Sequence, residues 1–160
     1  MDLEKLRQNR NETNNFLRHI GAEITHIEEG SAVIELVPSD EVLNPSGAVH
    51  GGCLFTMADI AAGTAACAYG YHGVTVNSSF NYLSPAIVAG DPLTAPKKII
   101  ATSRELKRGK RVLFYEVDVT DQDGRLIATC TISFMSLGEE IPDLKDENAD
   151  LVVHKYDSAK

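Results

Sequence analysis

Two periodicities divide the chain. Near its start, Leu3, Leu6, Thr13, Phe16, Leu17 and Ile20 recur at roughly helical spacing among polar residues. They predict an amphipathic helix over 3–20 that packs at its C-terminal end, with Asn14 and Asn15 interrupting its middle. Alternation then takes over across 22–28 and 32–37, where Ile24, Val33, Ile34, Leu36 and Val37 supply the apolar set. Glu29-Gly30 between them reads as a hairpin turn. Pro38 to Gly47, dense in Pro, Ser, Asp and Asn, is a loop longer than a simple connection needs. From His50 to about Tyr69 the helical period returns, with Leu54, Met57, Ala58, Ala61, Ala65 and Ala68 on one face. The second half of this segment has almost only small side chains, so its backbone can approach a sheet closely.

The rest alternates. Val74 to Leu83 and Leu93 to Leu106 are predicted strands, the second interrupted by Pro96. Val112 to Thr120 places Leu113, Tyr115, Val117 and Val119 on one face, with Phe114, Glu116 and Asp118 on the other. Leu126 to Ser136 does the same with Leu126, Ala128, Cys130, Ile132 and Phe134. Arg108-Gly109-Lys110 and Asp121-Gln122-Asp123-Gly124 read as hairpin turns. The order is helix, two strands, long helix, four strands. Strands joined by short hairpins form an antiparallel sheet, and one long helix against one face makes an α+β architecture. Residues 1–137 form one domain, the size expected for a single core. Residues 138–160 carry seven acids and three lysines with little periodicity and read as an acidic tail.

The formal charge of −8 argues against a nucleic-acid binder, which needs a basic face. Cys53, Cys67 and Cys130 are odd in number and lack C-x-x-C spacing, which argues against a disulfide framework or a zinc knuckle. If 53–67 is helical, Cys53 and Cys67 lie about 21 Å apart, beyond disulfide reach. They read as small buried hydrophobes, reduced in the cytoplasm. The opening Met1-Asp2-Leu3-Glu4-Lys5 lacks the apolar core of a signal peptide. Cys53 to Gly70 is the longest apolar-rich stretch, but Asp59 within it would cost about 3 kcal/mol at mid-membrane. No membrane association is expected.

The nucleophile elbow, the P-loop, the dinucleotide fingerprint and H-E-x-x-H are all missing, and His19, His26, His50, His72 and His154 show no metal-ligand spacing. The unusual segment is Asn44-Pro45-Ser46-Gly47-Ala48-Val49-His50-Gly51-Gly52, which runs straight into the long helix. That helix has no Ser, Thr, Asp or Asn immediately before it, so its first-turn N–H groups are expected to lack a side-chain partner. Bare N–H groups at a positive helix end suit an oxyanion, although glycine with water is also an acceptable cap. His50 just before the helix fits a turn brace better than an acid or base. Asp59 sits mid-helix among apolar and small residues, and no Lys or Arg occurs between Arg18 and Lys97. A charge kept there without a local counterion points to function.

Asn44-x-x-Gly47-x-x-His50-Gly51-Gly52, with Asp59 seven residues after Gly52, resembles the hotdog-fold acyl-CoA thioesterases. The similarity is greatest to the phenylacetate-pathway type and its 4-hydroxybenzoyl-CoA thioesterase relatives. It extends from about Asn15 to Leu137, with Phe16-x-x-His19-Ile20-Gly21 resembling the entry into the first strand and Tyr82-Leu83-Ser84-Pro85-Ala86 the turn after the third. The resemblance implies a curved antiparallel sheet wrapped around one long helix. It implies hydrolysis of an acyl- or aryl-CoA thioester, with Gly51 donating its backbone N–H to the carbonyl oxygen and Asp59 acting as general base or nucleophile. Asn44 and His50 would shape the site and orient the carbonyl or water. Thr75 falls where relatives place a hydroxyl that holds the attacking water, though a threonine also simply suits a strand. Gly52, Phe55, Asn81, Tyr82, Ser84 and Pro85 would contact the substrate. No metal and no cofactor are implied, coenzyme A being part of the substrate.

Seven of the fifteen basic residues lie between Lys97 and Arg111, a positive segment in an acidic chain. Arg108, Lys110 and Arg111 near its turn would dock coenzyme A phosphates, while the other basic residues equally fit solvated charge that blunts a sheet edge. Gly51 and Asp59, eight positions apart on one helix, lie about 12 Å apart along its axis. One thioester carbon cannot meet both, so two helices running antiparallel across a two-fold axis are expected, in a homodimer or a homotetramer built as a dimer of dimers. Two other readings compete: a hydratase or dehydratase on the same fold, and a non-catalytic acyl-CoA-binding module. The D-x-x-x-x-H and His-then-Glu arrangements of the former do not appear.

Overall fold

The structure, a computed structural model, describes residues 1–88 and 98–141. The expected order of elements is present. Helices α1 (Leu3–Thr13) and α2 (Asn15–His19) precede strands β1 (Ala22–Glu28) and β2 (Ser31–Leu36). A 3₁₀ turn (Asp40–Val42) leads to helix α3 (Gly51–Cys67), and strands β3 (Tyr71–Tyr82), β4 (Ile99–Arg108), β5 (Val112–Asp121) and β6 (Leu126–Glu140) follow.

The single helix expected over 3–20 is instead two. Asn14 leaves the helical conformation at φ −79°, ψ 90°, and its side chain accepts the Leu17 N–H at 3.0 Å. Asparagine competes with the helix by capping, so the chain breaks where the polar residue can start a new turn. The break lets Leu17 reach full burial, worth about 2 kcal/mol. Helix α1 also covers a sheet edge. The Asn11 side chain accepts from Ile24 N–H at 2.8 Å and donates to its carbonyl at 3.0 Å, as a neighbouring strand would.

The six strands form one antiparallel sheet in the order β1-β2-β4-β5-β6-β3. Helix α3 touches every strand, which requires the sheet to curve around it. The predicted stripe faces inward: Leu54, Met57, Ala58, Ala61, Ala65 and Ala68 are buried against Ile34, Ile99, Tyr115, Val117 and Val119. Small side chains allow this close approach. A Cβ on Gly63 would come within 3.2 Å of the Phe134 ring. Buried Ser103 accepts the Ala32 N–H at 2.9 Å, and its hydroxyl lies 3.2 Å from the Ala61 carbonyl, joining sheet to helix.

Boundaries differ from expectation in three places. Strand β3 begins at Tyr71, not Val74. Strand β4 is described from Ile99 and extends to Arg108, while 93–97, with Pro96 and Lys97, lies outside the described residues. Strand β6 continues past Ser136, where Gly138 takes φ +73°, Glu140 pairs with Tyr71, and Ile141 N–H donates to Gly70 at 2.8 Å. Glycine permits this irregularity, which periodicity cannot show. Residues 142–160 of the expected tail are outside the described part. Cys53, Cys67 and Cys130 are buried and free, and no helix among the described residues is long and apolar enough to cross a membrane.

Candidate active site

The loop before α3 is braced from within. The Asn44 side-chain oxygen accepts the N–H groups of Ser46 at 2.9 Å and Ala48 at 3.1 Å, closing a turn in which Gly47 takes φ +73°. Asn44 thus holds the approach to the helix. Val49 N–H donates to Ala86 and His50 N–H to Val42, which fixes where α3 begins.

His50 is the N-cap, and its Nδ1 accepts the Gly52 N–H at 2.9 Å. The expectation of an uncapped first turn is therefore corrected. An imidazole nitrogen two residues upstream of Gly52 does what a Ser or Asp would do, provided that nitrogen carries no proton. Cys53 and Leu54 N–H groups donate to the His50 carbonyl. This leaves the Gly51 N–H alone in that turn without a hydrogen-bond partner among the described residues. The Tyr82 ring lies over Gly51 so closely that a Cβ there would sit 3.0 Å from it, and the Tyr82 hydroxyl donates to the Gly51 carbonyl at 3.0 Å. Phe80 packs on Tyr82 with ring centroids 4.6 Å apart, and Phe55 on Phe80 at 5.6 Å. Together they form an aromatic wall beside the helix N-terminus.

Asp59 is half-buried two turns further along α3, and Oδ1 accepts the Thr75 hydroxyl at 2.7 Å. A bulge in β3 aims that hydroxyl. Thr75 pairs with Phe134 and Asn77 with Ser133, so Val76 is an extra residue. Phe80 and Tyr82 face α3, and uninterrupted alternation from them would turn Val76 inward and Thr75 outward. The bulge reverses the parity. Burial, and after it the Asp59 charge, push the Cys130 thiol up to about 11, so it stays protonated at neutral pH.

The structure brings together some of the expected residues and not others. Gly51, Gly52, His50, Phe55 and Tyr82 gather at the helix start, with Asp59 and Thr75 about 12 Å along the axis. Ser84 and Pro85 lie in the loop after β3, where Ser84 N–H donates to Ile127 and the Pro85 carbonyl accepts from Arg125 at 3.4 Å. Asn81 pairs with Thr129 and lies on the outer face of the sheet, away from α3, because residues flanking Tyr82 must alternate. Phe80, missing from the sequence-derived set, was recoverable from its two-residue spacing to Tyr82.

A cavity of about 460 Å³ opens at the far end of α3. Ala66, Leu113 and Phe134 line its apolar part, and His72, Arg108 and Lys110 add positive or polar groups. The Arg108 guanidinium lies 4.0 Å over the Tyr69 ring. Arg111, by contrast, is not among the lining residues. Among the described residues no three His, Cys, Asp or Glu side chains gather as a metal site.

Residues 46–128 match the family model of the thioesterase superfamily. Human acyl-coenzyme A thioesterase 13 is 34% identical over 119 residues, covering 71% of this chain and 79% of that protein. The Escherichia coli PaaI protein of the phenylacetic acid degradation operon shares the fold, with a TM-score of 0.77 at 24% identity over 87% of this chain and 96% of that one. A hypothetical thioesterase of Streptococcus pneumoniae, solved with coenzyme A, has a TM-score of 0.67 at 28% identity, covering 75% of this chain and 91% of that one. With its sheet curved around α3 and the matched span running from the loop before Gly51 into β6, the chain belongs to the hotdog-fold thioesterase superfamily and is a thioester hydrolase.

Proposed function

We propose that the protein hydrolyses an acyl- or aryl-CoA thioester to the free acid and coenzyme A, in active sites shared between two copies of the chain. The observation that carries this reading is the presence, on one helix, of a Gly51 N–H without a partner among the described residues and an Asp59 carboxylate steadied by Thr75. The Gly51 N–H stabilises the oxyanion as the thioester carbonyl is attacked, a contribution of roughly 3 kcal/mol. Asp59 removes a proton from the attacking water through the oxygen that Thr75 leaves open, or attacks the carbonyl itself. The thiolate then leaves and takes up a proton; where Asp59 has attacked, water hydrolyses the resulting acyl–Asp59 anhydride to the free acid and restores the carboxylate, and neither a metal nor a cofactor is needed. The His50 cap and the Asn44 turn hold Gly51 in place.

Two copies are required because Gly51 and Asp59 of one helix are about 12 Å apart. Antiparallel helices set the start of one against the middle of the other. The long edge strand β3 supports such an assembly. Among the described residues it pairs with β6 alone, and Tyr71, Val76 and Tyr82 are exposed along it. A second copy, or a dimer of dimers, would cover it. Arg108, Lys110 and Arg111 supply charge for the coenzyme A phosphates, which the streptococcal relative's coenzyme A complex supports. The three buried free cysteines fit a reducing, cytoplasmic setting.

A panel of acyl- and aryl-CoA thioesters assayed for free thiol tests the reaction. Thiol release with turnover is expected. Hydration without thiol release would establish a hydratase instead, and saturable binding with neither would establish a binding module.

A further inference from the structure

Gly51 and Gly52 open helix α3, and neither takes a positive φ. Conformational freedom is therefore not what these two glycines supply; space is. A Cβ on Gly51 would stand 3.0 Å from Cε1 of the Tyr82 ring and 3.1 Å from its hydroxyl oxygen. A Cβ on Gly52 would stand 3.1 Å from His50 Nδ1. Each glycine makes room for one polar side chain, and the two side chains take hold of the same peptide group. The Tyr82 hydroxyl donates to the Gly51 carbonyl at 3.0 Å, and His50 Nδ1 accepts the Gly52 N–H at 2.9 Å. That carbonyl and that N–H belong to one planar unit. In the preceding unit, the His50 carbonyl accepts the N–H groups of Cys53 and Leu54 at 2.9 and 3.2 Å. Both peptide groups that meet at the Gly51 Cα are thus held, in a first turn where helices otherwise fray.

We propose that Tyr82 is a positioning residue for the oxyanion donor: its hydroxyl and His50 Nδ1 clamp the Gly51–Gly52 peptide from its two ends and so aim the Gly51 N–H. This rests on the reading of Gly51 as that donor. The seat of Tyr82 suits the task. It ends β3, paired with Ala128, and the next two N–H groups, of Leu83 and Ser84, both donate to the Ile127 carbonyl at 2.9 and 3.0 Å. Phe80 braces the ring, with centroids 4.6 Å apart. The clamp ties the start of α3 to a strand end 31 residues further along the chain. A donor held in advance needs no reorientation as charge develops on the carbonyl oxygen. The benefit falls on the transition state rather than on substrate binding, so it belongs in kcat and not in KM.

Tyr82→Phe keeps the ring and deletes the hydroxyl. It should lower kcat about threefold to tenfold at unchanged KM, for acyl-CoA and acyl-pantetheine alike, with the same thermal unfolding midpoint. Combined with His50→Ala, it should lose less than the product of the two single losses, because a peptide group released at one end gains little further freedom from release at the other. Losses that multiply would mean that the two side chains act on separate groups, and would overturn the clamp. A raised KM at constant kcat would make Tyr82 a substrate contact instead, and a lowered midpoint with kcat unchanged would make its hydroxyl merely structural; either result overturns the proposal. Gly51→Pro compared with Gly51→Ala tests the underlying reading, since both crowd Tyr82 but only proline removes the N–H. Equal activity of those two would remove Gly51 as the donor, and the clamp with it. A far less active proline variant beside a normal Tyr82→Phe would leave the donor standing and overturn the clamp alone.

Discussion

Asp59 and Thr75 set the terms at the scale of single residues. A carboxylate accepting a 2.7 Å hydrogen bond from a threonine is held in one orientation, with its second oxygen available. Asp59→Asn keeps shape and removes the base, so kcat should fall about 100-fold or more, with the circular dichroism spectrum unchanged. Near-normal turnover would remove Asp59 from the mechanism. Thr75→Val keeps the β-branched shape and deletes the donor. It should lower kcat roughly tenfold with little effect on KM, because a hydrogen bond to a charged group is worth about 1.5–3 kcal/mol. A rise in KM at constant kcat would assign Thr75 to substrate binding instead. The sequence exposed Asp59 through the lack of any local counterion, but it could not show that Thr75 donates to it. Nor could it show that His50 caps Gly52, since histidine is not a usual cap residue.

Among the elements, α3 and the hairpins were legible and the irregularities were not. The inward stripe of α3 and the alternation of β5 follow from period alone, because one face of each must meet a core. The Val76 bulge in β3 leaves no signature in the pattern, yet it decides which neighbour of Val76 meets Asp59. The β5–β6 turn is braced by charge. Burial alone would raise the Asp121 pKa, but the N–H groups of Arg125 and Asp123 and the Arg125 guanidinium outweigh it, and the carboxyl sits below its usual range. A depressed folded value means the stabilisation is present above the ordinary carboxylate pKa of about 4 and is lost as pH falls through the lower folded value. Asp121→Asn should therefore lower stability at pH 7 by about 1–2 kcal/mol. It should also flatten the loss of stability below about pH 4, measured by urea unfolding across pH. An unchanged acid slope would show that Asp121 does not titrate with folding.

On the scale of the whole molecule, the prediction concerns assembly. Asp59→Ala and Gly51→Pro homodimers should each be nearly inactive. Unfolded and refolded together, they should regain roughly a quarter of wild-type activity, because half the dimers are mixed and one of two sites in each is intact. A Cβ at position 51 also presses on Tyr82, so Gly51→Ala, which keeps the N–H, is the matching control for displacement of that ring. No recovery from folded, exchanging subunits would mean that each site is complete within one chain. By itself the sequence determined the α+β order, the core faces, the unpaired Asp59 and the resemblance carried by Asn44 to Asp59, because periodicity and local spacing are properties of neighbours along the chain. Only the tertiary structure decided the rest. It placed β3 beside β6 at the sheet edge, turned Asn81 to the outer face, and set Arg108 over Tyr69 with Lys110 in the lining of the same cavity. Those relations join residues far apart in sequence, and curvature, register and a single extra residue in β3 fix them, none of which a pattern of polar and apolar positions encodes.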